Sequence, residues 1–205
     1  MDRIHVTLPD GKSVEVRPGA RIDEIIAAAG LKKEVIAAKV DGRLVDLKHV
    51  LEKDCALELV SPDSPEGLDI LRHSTAHLMA QAVQSLFPGT QVTIGPTIED
   101  GFYYDFKRDK AFSPEELEQI EKRMQELSKA NVTVTREEMP RAQAIEMFRK
   151  MGEYYKVEIL EGIADETVSL YRQGDFIDLC RGPHVPSTGK LKVHKLMKVA
   201  GAYWR

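Results

Sequence analysis

Two prolines within five residues, Ser61-Pro62-Asp63-Ser64-Pro65, cut the chain into stretches of different hydrophobic period. Proline cannot donate to a helix or sheet ladder, and no residue of this stretch is a core former, so a domain boundary is expected here. Before it, apolar and polar residues alternate in IHVTL and SVEVR around Pro9-Asp10-Gly11, the pattern of a hairpin. Residues 21–29 then predict a short helix closed by Gly30, where a left-handed residue is needed. VIAAKV, RLVDL beyond the Asp41-Gly42 turn, and CALELV supply further strands. The order ββαβββ predicts a sheet wrapped over one helix in residues 1–61. Cys55 opens the last strand as a small core residue, and His5 and His49 are read as surface positions.

Beyond the boundary the pattern changes to long helices mixed with strands. Ser64 as a cap and Pro65 at the first helical position open a helix that Pro88-Gly89 stops. At about 100° per residue, Leu68, Leu71, Leu78, Ala82 and Leu86 form one stripe, and His73 and His77 lie together on the other side. Ser113-Pro114-Glu115-Glu116 is a capping box for a charged helix ending near Asn131. NVTVTREEM reads as a strand and residues 140–151 as a helix. YKVEIL and ETVSLYRQGDFIDLC read as strands leading to a second cluster, Asp178, Cys180 and His184, bent by Gly182-Pro183.

Composition excludes some classes of function. Apolar residues make up 42% and charged residues 30%, and no apolar run reaches the roughly 18 residues that span a bilayer. MDRIHVTLPDG carries no signal-peptide core, and two cysteines in unlike contexts form no disulfide framework, so a cytoplasmic setting is expected. The net charge of −4 hides an asymmetry, because residues 181–205 hold six basic side chains and no acidic one. A basic segment directly after the second cluster favours a polyanion near it.

Two kinds of chemistry fit the clusters. Four N and S donors (His73, His77, Cys180, His184) suit tetrahedral zinc, structural if all four bind and hydrolytic if water takes one position. Alternatively, no metal is needed: a histidine and a nearby cation polarise water and stabilise an ester's developing oxyanion. Spacing does not choose between them.

HSTAHLMAQAV, IGPTIEDGFYYDF, Tyr155-Lys156-x-Glu158, DLCRGPHVPSTGKL and KLMKVAGAYWR together resemble the N-terminal half of bacterial-type threonyl-tRNA synthetases. The resemblance implies an α+β chain: a small β-grasp (TGS) domain in residues 1–61, then an editing domain of the threonyl/alanyl type in 62–205. It implies hydrolysis of seryl-tRNA(Thr) with threonyl-tRNA(Thr) spared. In that reading His73 positions or deprotonates the water, or contacts the terminal ribose. Lys156 holds the water and offsets oxyanion charge. Asp178 accepts from the serine hydroxyl or amino group. His77, Cys180 and His184 complete the pocket wall, and Tyr104 with the Gly95-Pro96 backbone forms a steric gate. No cofactor is expected for hydrolysis, with zinc on the His/Cys set as the minority alternative. ATP use and the synthetase's own zinc would belong to a catalytic domain absent here. The implied partners are the 3′ end of tRNA(Thr) carrying serine and that catalytic domain, with this chain a monomeric fragment of a homodimeric parent. A module that binds RNA and uses its His/Cys set structurally, and a zinc hydrolase of another ester, are the alternative readings.

Overall fold

A computed structural model describes residues 3–31 and 33–201. The end of the KLMKVAGAYWR motif, residues 202–205, lies outside the described residues. The described residues form two compact units, one running up to residue 71 and including 182–186, the other comprising 72–181 and the described residues from 187 onward.

The first unit contains β1 (Ile4–Thr7), β2 (Ser13–Val16), β3 (Ala20–Arg21), α1 (Ile22–Ala28), β4 (Ala37–Val40), β5 (Arg43–Val45), β6 (Val50–Leu51) and β7 (Cys55–Val60). Its main sheet has the order β2-β1-β7-β4-β5, with β1 parallel to β7 and the other pairs antiparallel. The expected hairpin is there: Val6 faces Val14, and Gly11 takes φ +81°, a conformation that suits a residue without Cβ. Alternation along β1 and β7 buries Ile4, Val6, Cys55 and Leu57 in one core with Ile22 and Ile25 of α1. Two short strands that the pattern did not reveal, β3 and β6, pair with each other. Burial pushes the Cys55 thiol up, away from the reactive thiolate. His5 is exposed beside Glu15 and Asp54, and His49 is half-buried.

The remaining elements are α2 (Pro65–Leu86), β8 (Gln91–Val92), β9 (Thr97–Ile98), β10 (Gly101–Phe102), β11 (Phe106–Lys107), α3 (Pro114–Lys129), β12 (Val134–Pro140), α4 (Arg141–Lys150), α5 (Tyr154–Glu161), β13 (Thr167–Gln173) and β14 (Phe176–Leu179), then one 3₁₀ turn at Thr188–Lys190. Ser64 Oγ accepts from Gly67 N at 3.0 Å, so α2 starts as its sequence dictates. The Ser113–Glu116 capping box opens α3 with both reciprocal bonds made. An antiparallel sheet, β12-β13-β14, packs Val168, Leu170 and Ile177 against Ala144 and Phe148 of α4 and Val157 and Leu160 of α5.

Two expectations fail. YKVEIL is not a strand; it lies in helix α5. The Val157/Ile159 alternation looks extended, but what is buried follows helical spacing: Lys156, Val157 and Leu160. Packing on Phe148 outweighs the β preference of these residues. The leucine stripe of α2 is likewise too simple, since Leu68 is 44% exposed and Leu86 36%, while residues 74–78 are all buried. The small Ala76 and Ala80 let Val92, Tyr104 and Phe176 pack closely over the other side of the helix, and His77 is enclosed there.

Candidate functional site

In the second unit the chain brings together residues from five stretches. α2 supplies His73 and His77, one turn apart, with ring centroids 5.3 Å apart and planes at 84°. β14 supplies Asp178, followed at once by Cys180, whose Sγ lies 3.5 Å from His73 Nε2. α5 supplies Lys156, and the segment between β10 and β11 supplies Tyr104. The last stretch, after β8, contributes the Thr93 carbonyl.

Asp178 is the hub. Its carboxylate, 1% exposed, is ion-paired with Lys156 Nζ and accepts from Tyr104 OH at 2.6 Å and from Leu179 N at 2.8 Å. His77 Nε2 stands 3.4 Å from the same carboxylate. Lys156, 3% exposed, also donates to the Thr93 carbonyl at 2.6 Å and to Tyr104 OH at 3.1 Å. An ammonium has three hydrogens, and here three protein acceptors face it. Lys156 can therefore act on a substrate atom only if one of these acceptors yields.

Burial sets the protonation states. Desolvation first, then the charges of His73 and Lys156, hold His77 well below the ordinary imidazole range, so it is neutral at pH 7. Desolvation, followed by the Asp178 charge, holds the Tyr104 phenol well above its ordinary value, so it remains a hydrogen donor. His73 is only half-buried and stays within reach of water.

The Gly95 backbone abuts the Tyr104 ring. A Cβ on Gly95 would stand 2.2 Å from Tyr104 Cδ2, so only glycine lets the ring lie flat against the chain there. Pro96, half-buried, accepts from Tyr103 N at 3.3 Å through its carbonyl. Phe106 stacks on the Tyr104 ring at 5.0 Å.

His184 belongs to the 182–186 segment of the first unit. Its side chain is buried at 2% exposure, and its backbone N–H donates to Asp46 Oδ1 at 2.8 Å. Gly182 takes φ +73°, as a turn ahead of it requires.

Two participants left no mark that sequence reasoning could use. Thr93 acts through its carbonyl, which every residue type has. Glu153 is 7% exposed and touches the Gln84 amide and Val92 N, with burial pushing its carboxyl up. Its signal in the sequence is one acidic residue among many.

His73, His77 and Cys180 each hold a ligand atom within 4.8 Å of the other two. Two imidazoles and a thiol fit zinc by donor type, and a neutral His77 is the form that ligates. The same groups, without metal, form a polar cluster around a buried carboxylate and ammonium.

Residues 4–61 match the family model of the TGS domain, and residues 168–202 that of the threonyl and alanyl tRNA synthetase second additional domain. The chain is 58% identical over 204 residues to the threonine–tRNA ligase of Aromatoleum aromaticum, covering 98% of this chain and 32% of that protein. Against the threonine–tRNA ligase of Hahella chejuensis it is 57% identical over 203 residues, with the same coverage. Against that of Citrifermentans bemidjiense it is 54% identical over 207 residues, 100% of this chain and 32% of the relative. The chain thus spans about a third of the length of the curated relatives it matches.

Proposed function

Since the chain belongs to the threonine–tRNA ligase family, with TGS and editing-type segments, we propose that residues 62–205 proofread by hydrolysing the ester of seryl-tRNA(Thr). Serine is threonine less one methyl, and a pocket shaped for the larger residue rejects the smaller by only about 1–3 kcal/mol. A second, tighter site that destroys the wrong ester meets that need.

One observation carries the reading: a buried Lys156–Asp178 pair, capped by Tyr104, stands next to the His73–Cys180 contact. In this proposal Asp178 accepts from the serine hydroxyl or amino group in exchange for one of its present donors. The close packing of Gly95 on Tyr104 leaves little slack for an added methyl, which is the basis for sparing threonine. His73, in reach of solvent, positions or deprotonates the water. A Lys156 hydrogen released from its present acceptors stabilises the oxyanion. Neutral His77 and Cys180 form the wall. The 3′ end of tRNA(Thr) and a catalytic domain that performs ATP-dependent ligation are the partners, in a cytoplasmic and dimeric parent. The TGS domain supplies RNA-associated or regulatory contacts.

Serine release from seryl-tRNA(Thr) is the test. The chain releases serine and spares threonyl-tRNA(Thr), and His73→Ala slows release by at least tenfold. Release at the uncatalysed rate refutes the proposal. The approach of three zinc donors to within 4.8 Å favours a second reading, a zinc hydrolase. Metal analysis of protein purified without added zinc separates the two, because that reading requires a stoichiometric ion.

A further inference from the structure

The strand register extends the face that carries Asp178 and Cys180 across the sheet. Asp178 faces Tyr171, and Tyr171 faces Arg136; Ser169 faces Glu138 one step along. Directly paired residues point to the same side of a sheet, so Arg136, Glu138, Ser169 and Asp178 share one face. Cys180 continues it, bonded through its backbone N–H to the Ser169 carbonyl at 3.1 Å, with Ser169 Oγ donating back to the Cys180 carbonyl at 2.6 Å.

A cavity of about 340 Å³ opens on this region, lined by Arg136, Glu138, Asp165, Ser169, Cys180 and Arg181 among others. Its size is at the lower end of small-ligand sites, roughly 300–1,000 Å³, with room for one nucleotide but not several. Cys180 is common to this cavity and to the His73 contact. The charges of the lining are not equally committed. Arg136 is held by Glu138 at 2.7 Å. Arg181 is 91% exposed, and its contact with Asp165, itself 70% exposed, is a loose 3.9 Å. An ion pair that open is worth little, so exchanging Asp165 for a better anion costs little. A guanidinium also matches phosphate in a two-pronged geometry.

We propose that this cavity is a subsite for the nucleotide that precedes the terminal adenosine, with Arg181 binding its phosphate and Ser169 and Glu138 facing the sugar. This rests on the ester-hydrolysis reading, in which Cys180 walls the site of the terminal ester and so joins that site to this cavity. The subsite commits the strand to one direction across the sheet face, and it makes binding energy depend on RNA beyond the ester.

The test compares two non-hydrolysable probes by calorimetric titration of the 205-residue chain: a seryl-amide of adenosine, and the same group ending a trinucleotide. The trinucleotide binds at least about tenfold tighter, the gain of one charge-assisted hydrogen bond. Arg181→Ala removes most of that gain, and Arg181→Glu removes all of it. Both leave the nucleoside probe's affinity unchanged, and the exposure of Arg181 means that neither disturbs folding. The slope of log affinity against log salt for the trinucleotide falls by about 0.7 in Arg181→Ala, the value for one phosphate contact on a single strand. If the nucleoside binds but the trinucleotide gains nothing, or if the gain survives Arg181→Glu, the subsite is refuted while the hydrolysis reading stands. If neither probe binds, the hydrolysis reading falls and the subsite with it.

Discussion

Replacing Lys156 by methionine keeps the length of the side chain but removes its charge, taking the ion-pair partner from the Asp178 carboxylate at 1% exposure. Both side chains of the pair are nearly sealed, at 4% and 2% exposure, so solvent does not take over the lost partner. Breaking such a pair from one side costs about 3–5 kcal/mol. The Thr93 carbonyl loses its donor as well. A Tm loss on the order of 10 °C follows for a protein of this size, at about 2–4 °C per kcal/mol. The informative comparison is the double variant Lys156→Met with Asp178→Asn. Asparagine keeps an oxygen to accept from Tyr104 OH and carries no charge to strand, so the double variant recovers most of the loss. A double-mutant cycle by thermal and urea unfolding, followed by circular dichroism, reads the coupling as at least about 2 kcal/mol. If Lys156→Met lies within about 0.5 kcal/mol of the parent, or if the double variant is no more stable than Lys156→Met, the buried pair is not the contact that organises this cluster.

Three further outcomes are expected. Gly95→Ala drives a methyl against the Tyr104 ring, costing about 1–3 kcal/mol and weakening the near-ultraviolet tyrosine signal; an unchanged Tm contradicts the close packing. Because folded His77 resists protonation while the unfolded imidazole takes up a proton as pH falls through about 6.5, stability declines below that pH by up to about 1.4 kcal/mol per unit and is flat above it. His77→Gln reduces the slope, which urea titrations between pH 5 and pH 8 would measure. Ser113→Ala removes the cap of α3 and costs about 1 kcal/mol, measurable by the same titration; no loss would show that the capping bonds are idle.

Much of the fold was legible because it is written in local chemistry. Ser64-Pro65 and Ser113-Pro114 start helices wherever they stand, since a hydroxyl that caps and a proline that lacks its N–H fit the first turn and little else. The β1–β2 hairpin follows from alternation around Gly11. The segment 155–160 is ambiguous in sequence because short apolar runs obey two periods at once, and only the presence of Phe148 and Leu170 selects the helical one. The candidate site divides in the same way. HSTAH and CRGPH identify themselves by residue type and spacing, and the helix fixes the angle between His73 and His77. That Lys156 is a buried partner of Asp178, and not a surface lysine, depends on α5 turning it inward.

The sequence by itself determined the donors available, the helix starts and the hairpin, because each rests on residue type or on contacts within a few residues. Tertiary structure alone decided which groups are charged in the dark. His77 is neutral, Tyr104 keeps its proton and Lys156 sits against Asp178 because of what covers them. Desolvation is a property of the surrounding atoms, which come from segments up to a hundred residues apart.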